Sequence, residues 1–189
     1  MDGYDAVVYD LDGTLARLDV DWDAVTREAA TVYRNAGVDP PTGDLWNLLD
    51  EAEAFGVGQE VAGLVCERER EGARRSDRLF LADQLIERAS AGIPIGVCSL
   101  NCEAAVRIAL AEHELIDSVS EGAIVGRDTV ETRKPDPEPL LRTCRALAVD
   151  PERTLFVGDS PRDEQTADRA GAGFAYVSDL VSDSDGTPS

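Results

Sequence analysis

The chain has 189 residues, 43% of them hydrophobic, enough for one sizeable core or a core with a small appendage. Its 38 acidic residues outnumber the 18 basic ones and give a formal net charge of −20, a field that repels nucleic acid and anionic membrane and argues against either as a partner. All but one of the basic residues are arginine, the exception being Lys134, and such an acidic, lysine-poor composition resembles that of halophilic proteins.

The first apolar run is Ala6-Val7-Val8-Tyr9, short and β-branched, which reads as a strand buried on both faces of a parallel sheet. It delivers Asp10-Leu11-Asp12-Gly13-Thr14-Leu15 to its C-terminal end, where open α/β sheets bind ligands. Alternation sends Asp10 and Asp12 to one side, and two such acids repel unless a cation or a proton compensates. Gly13 permits a sharp exit. The next sixty residues change character. Helical spacing appears over 23–35, 44–55 and 59–71, punctuated by Gly37, Pro40-Pro41, Gly56 and Gly58, with no strand pattern. We read 17–76 as a small all-helical insertion. An α/β rhythm then resumes: helix 77–90, strand 93–98, helix 102–114, a short strand 123–125, helix 137–147, strand 154–157, helix 160–170 and a last strand 174–177. The pattern predicts an α/β fold, a Rossmann-like doubly wound parallel sheet. The core is formed by 1–16 and 77–180, and 181–189 is a flexible tail, fraying from about Ser178.

Cys66, Cys98, Cys102 and Cys144 form no CxxC pair, and His113 is the lone histidine, so a zinc site built from Cys and His is not expected. Reduced, packed thiols are the expectation. No N-terminal stretch has signal-peptide form and no run approaches the ~20 apolar residues of a spanning helix, so a soluble, cytoplasmic protein is expected, as monomer or homodimer.

Polar residues fall at several strand ends. Asp10 and Asp12 end the first strand, Ser99 the second, and Asp159 with Asp163 follows Thr154-Leu155-Phe156-Val157; Lys134 lies in the connection Arg133-Lys134-Pro135-Asp136-Pro137. Acid, hydroxyl and amine at the C-terminal ends of one sheet converge on one cleft. DLDGTL, a strand ending in Ser99, Lys134 in KPDPEP and GDSPRDEQTADRAG resemble, in order and spacing, the four motifs of the haloacid dehalogenase-like phosphohydrolase superfamily. The likeness covers 4–15 and about 78–177, and the helical insertion resembles the C1-type cap of phosphoglycolate phosphatase-like and β-phosphoglucomutase-like members.

The resemblance implies a phosphomonoester hydrolase acting on a small phosphorylated metabolite. In it Asp10 is the nucleophile that becomes an aspartyl-phosphate, and Asp12 the general acid and then base. Mg²⁺ is held by Asp10, the Asp12 carbonyl and Asp159, with Asp163 ordering that shell. Ser99 and Lys134 hold the phosphoryl oxygens, and Asn101 adds donors. Leu100 stands between Ser99 and Asn101 where many relatives have none, which leaves the role of Asn101 open. Thr132-Arg133 precedes the lysine where a glycine is frequent. A dehalogenase would lack Asp12, and a Schiff-base hydrolase would need a cap lysine that is absent. A phosphosugar mutase and an inactive binding protein on the same fold stay open. The arginine run Arg68, Arg70, Arg74, Arg75 and Arg78 is either a solvated face laced with glutamates or the source of a cap contact to a second anionic group of the substrate.

Overall fold

The structure is a computed structural model, and residues 3–182 are described. Five parallel strands form the central sheet in the order β5-β4-β1-β6-β7, with β1 Ala6–Tyr9, β4 Ile95–Cys98, β5 Ile124–Val125, β6 Thr154–Gly158 and β7 Gly173–Tyr176. Alternation sorts each strand onto two buried faces. Val7, Tyr9, Ile95, Val97, Leu155 and Val157 enter one apolar cluster with α4 Leu81–Ser90 and α5 Glu103–Glu112. Ala6, Val8, Cys98 and Phe156 enter another with α6 Glu138–Leu147 and α7 Pro161–Ala170. Burial on both faces explains why β1 and β6 read as unbroken apolar runs.

The helices of the segment 17–76 are α1 Trp22–Asn35, α2 Leu45–Glu51 and α3 Gly58–Ala73, which bury Val25, Ala29, Tyr33, Leu45, Leu48 and Val61 among themselves in a third cluster. Asp21 caps α1 and Asp44 caps α2 through a capping box with Asn47. The chain leaves and re-enters the core through an antiparallel pair, β2 Ala16–Arg17 against β3 Asp77–Arg78. That pair corrects two expectations. The segment is entered through a strand, and the helix expected from Asp77 begins at Leu81. Two-residue strands carry no alternation to detect, and their partners lie some sixty residues apart in sequence.

Two further expectations are overturned. Cys66 of α3 and Cys102, at the N-cap of α5, form a disulfide with Cα atoms 5.6 Å apart, while Cys98 and Cys144 are free and buried. The expectation of reduced thiols follows from an intracellular setting, and sequence separation alone gives no sign of the pairing; it is the packing of α3 against α5 that brings the sulfurs together. The tail does not fray at Ser178, since α8 covers Val177–Ser182 with Leu180 in the core. The remainder of the expected tail, 183–189, lies outside the described residues. Among those described, no helix is long and apolar enough to cross a membrane.

Candidate active site

A cleft of about 690 Å³ opens at the C-terminal edge of the sheet, between the core and the inserted helices. Asp10, Asp12, Ser99, Asn101, Lys134 and Asp159 line it, and Asp163 lies directly beneath, fully buried. The fold therefore brings every sequence-predicted site residue to one place.

Lys134 is the hub. Its buried ammonium donates to Asp10 Oδ1 at 2.9 Å, to Asp163 Oδ1 at 2.5 Å and to the Cys98 carbonyl at 3.2 Å. Burial works against the ammonium, but the carboxylates of Asp10 and Asp163 outweigh it and hold its pKa above the ordinary lysine value. Asp10 is pushed up to about 7, because burial favours the neutral acid more than Lys134 favours the charge, and Asp163 adds repulsion. Asp12 is also raised, chiefly by burial, although its Oδ1 accepts from the Leu18 N–H at 2.9 Å. Burial likewise raises Asp159, with Asp163 reinforcing it.

Local chemistry places these groups. Gly13 has φ +83°, and a β-carbon there would stand 2.1 Å from Asp159 Oδ2, so the turn after Asp12 admits the second acid only because it is glycine. Gly158 makes the same room for Asp163, whose carboxylate a β-carbon would meet at 2.6 Å. Asp163 is the N3 residue of α7, and its Oδ2 accepts from the Ser160 hydroxyl at 2.6 Å in a capping box. That bond leaves Oδ1 for Lys134. Carboxylate oxygens of Asp10, Asp159 and Asp163 lie within 4.8 Å of one another. Three acids gather around a single ammonium, and their all-oxygen donor set is compatible with a hard divalent ion such as Mg²⁺. The Asp12 side chain does not belong to this group; it points to Leu18.

The loop after β4 is equally ordered. Ser99 Oγ donates to Asn101 Oδ1 at 3.0 Å, and the Asn101 N–H donates back to Ser99 Oγ at 3.3 Å. Leu100 thus does not expel Asn101; both polar side chains are buried at the cleft. Glu69 of α3, fully buried, supports the loop. It accepts from the Cys102 N–H at 2.9 Å and pairs with Arg127 at 2.6 Å. Sequence reasoning missed Glu69, which differs in no local signal from its neighbours Glu67 and Glu71. It missed Trp22 and Trp46 too. Both tryptophans of the chain line the cleft, each in the first turn of an inserted helix, and that placement was a usable signal. The arginine run behaves as a solvated face: Arg68 pairs with Glu28 and Glu71, Arg70 with Glu67, Arg75 with Asp19 and Arg78 with Asp83. His113 meets Ser76 at 2.8 Å, apart from the cleft.

Comparison with known proteins agrees with this geometry. The family model for haloacid dehalogenase-like hydrolases matches residues 81–177. The N-acetylmuramic acid 6-phosphate phosphatase of Pseudomonas aeruginosa is 30% identical over 187 residues, covering 91% of this chain and 80% of that protein. The phosphoglycolate phosphatase of Rhodospirillum rubrum is 40% identical over 90 residues, 48% of this chain, and the match spans only 36% of that protein's length. Among solved structures, a HAD-superfamily hydrolase of subfamily IA from Geobacter sulfurreducens has a TM-score of 0.61 at 23% identity, covering 90% of this chain and 88% of its own. A β-phosphoglucomutase from Clostridium difficile has a TM-score of 0.65 at 21% identity, covering 90% and 83%. With half the chain matched by the family model and a relative similar along nearly its whole length, the chain belongs to the haloacid dehalogenase-like hydrolase family.

Proposed function

We propose that the protein is a Mg²⁺-dependent phosphomonoester phosphatase that acts through an aspartyl-phosphate on a small phosphorylated metabolite. The convergence of Asp10, Lys134 and the three-carboxylate group in one cleft carries this reading. Asp10 Oδ attacks phosphorus, forming an acyl phosphate as the ester P–O bond breaks. Asp12, whose pKa burial raises, gives its proton to the departing oxygen and then takes one from the water that hydrolyses the aspartyl-phosphate. Lys134 and Ser99, with the backbone N–H of Asp12, hold the phosphoryl oxygens as charge develops. Asp10, the Asp12 carbonyl, Asp159 and Asp163 would hold the metal, which supplies positive charge against a dianionic substrate.

The first test is phosphate release from p-nitrophenyl phosphate with Mg²⁺, without Mg²⁺ and in the variant Asp10→Asn. Turnover is expected to require the metal and to fall at least ~10³-fold in the variant, the scale of losing a covalent nucleophile. A variant retaining a tenth of the activity would remove Asp10 from this role.

A further inference from the structure

Beside Lys134 lies a side cavity of about 340 Å³ that Arg133, Arg162 and Arg169 line, with Trp46, Lys134 and Arg162 shared between it and the cleft. In a chain of net charge −20 this concentration of guanidinium groups is unusual, and it adjoins the amine assigned to the phosphoryl group. Arg133 is half-buried. It donates to the Trp46 carbonyl at 3.1 Å and pairs with Asp50. Arg162 sits over the Trp46 ring, 5.4 Å from its centroid, and lies 3.7 Å from Asp44 Oδ2. Arg169 is occupied by the Pro135 carbonyl at 2.9 Å.

The acids opposite these arginines are weak partners. Asp44 and Asp50 are on the inserted segment, their side chains 58% and 61% exposed, and ion pairs of that kind contribute little. Asp136 also lines the cavity, but its Oδ1 is taken by Thr132 Oγ1 and the Glu138 N–H. Burial and then the neighbouring Arg162 depress the Arg133 pKa, with Asp44 opposing them, so the two guanidinium groups are close enough to repel each other. Elsewhere the cleft carries Asp23, beside Trp22 and Thr26, which repels an anion from that wall. Polarity therefore fixes a direction: a phosphate ester anchored at Lys134 has its other end attracted towards Arg133 and Arg162.

We propose that Arg133 and Arg162 form a subsite for a second anionic group, a carboxylate or a second phosphate, on the leaving group of the substrate. The planar guanidinium fork suits either anion in bidentate fashion, and Asp44 and Asp50 hold the pair in place until the substrate displaces them. This assignment rests on the phosphatase reading.

The test uses the full chain with Mg²⁺ and matched esters that differ by one anion: 2-phosphoglycolate against 2-hydroxyethyl phosphate, and fructose 1,6-bisphosphate against fructose 6-phosphate, with p-nitrophenyl phosphate as reference. The first pair reports a carboxylate and the second a phosphate. Wild-type kcat/KM is expected to favour the doubly anionic member of one pair by ~10-fold or more, the scale of a charge-assisted pair. R133Q and R162Q should each erase most of that preference, while R133K and R162K, which keep the charge and lose the fork, should keep part of it. Equal rates within both pairs in the wild type, or a preference that survives R133Q and R162Q, would overturn the subsite while p-nitrophenyl phosphate turnover leaves the phosphatase reading standing. Absence of hydrolysis of every ester would overturn both.

Discussion

Asp10 and Asp12 are two residues apart and chemically identical, yet their surroundings assign them different work. Asp10 lies against the Lys134 ammonium, so its charge has a partner and its oxygen faces the cleft. Asp12 has no ammonium within ion-pairing distance; one oxygen is spent on the Leu18 N–H and burial raises its pKa. Burial raises Asp10 as well, so it is the missing ammonium partner that sets Asp12 apart and makes it the proton donor of the proposed reaction. Asp12→Asn is therefore expected to slow alkyl phosphates, whose leaving oxygen needs a proton, by ~10² or more, while slowing p-nitrophenyl phosphate far less. Equal losses on both classes of ester would mean that Asp12 acts through the fold or the metal. Surroundings thus distinguish two acids that composition cannot.

At the scale of elements, α3 is bound to the core more firmly than a hinged insertion requires. The Cys66–Cys102 disulfide and the bond from the Cys102 N–H to Glu69 join it to the loop that carries Ser99 and Asn101, and Glu69 also pairs with Arg127 after β5. Closing a loop of this length stabilises by about 3–4 kcal/mol in the chain-entropy view. Reduction of the folded protein is therefore expected to lower the melting temperature by roughly 8–14 °C. A thiol titration in denaturant should find two free thiols before reduction and four after it. Four thiols before reduction, or melting curves that coincide, would show that α3 is held by packing and Glu69 alone. The short strands β2 and β3, by contrast, pair through only two residues each, so the insertion is tied to the core unevenly.

The whole molecule carries its charge as a self-repelling surface. At 0.1 M salt the Debye length is ~10 Å and neighbouring acids feel one another; at 1 M it is ~3 Å and they do not. Removing that repulsion favours the compact state, and molar salt strengthens apolar burial only if it is of the excluded kind. A thermal melt in KCl from 0.1 to 3 M is expected to rise by at least ~6 °C, which corresponds to roughly 2 kcal/mol for a chain of this size. The phosphoryl site should persist, since Lys134 is buried among its partners and poorly screened. A flat or falling melting temperature would show that the acidic, lysine-poor surface is no salt adaptation.

By itself the sequence determined what depends on local pattern. Apolar runs such as Ala6–Tyr9 and Thr154–Val157 set the parallel sheet, because strands buried on both faces need apolar residues at every position. DLDGTL, Ser99 and GDSPRD placed candidate site residues at strand ends, with Lys134 in a connection, because in this architecture strand ends share one edge. The tertiary structure decided what depends on residues far apart in the chain. The pairing of Cys66 with Cys102, the support Glu69 gives to the Ser99–Asn101 loop and the β2–β3 entry all join distant segments. The meeting of Arg133 and Arg162 at Trp46 is of the same kind. No periodicity announces such contacts. They exist because α3 packs on α5 and α2 comes to rest over the mouth of the cleft, and side chains unremarkable in sequence acquire partners only there.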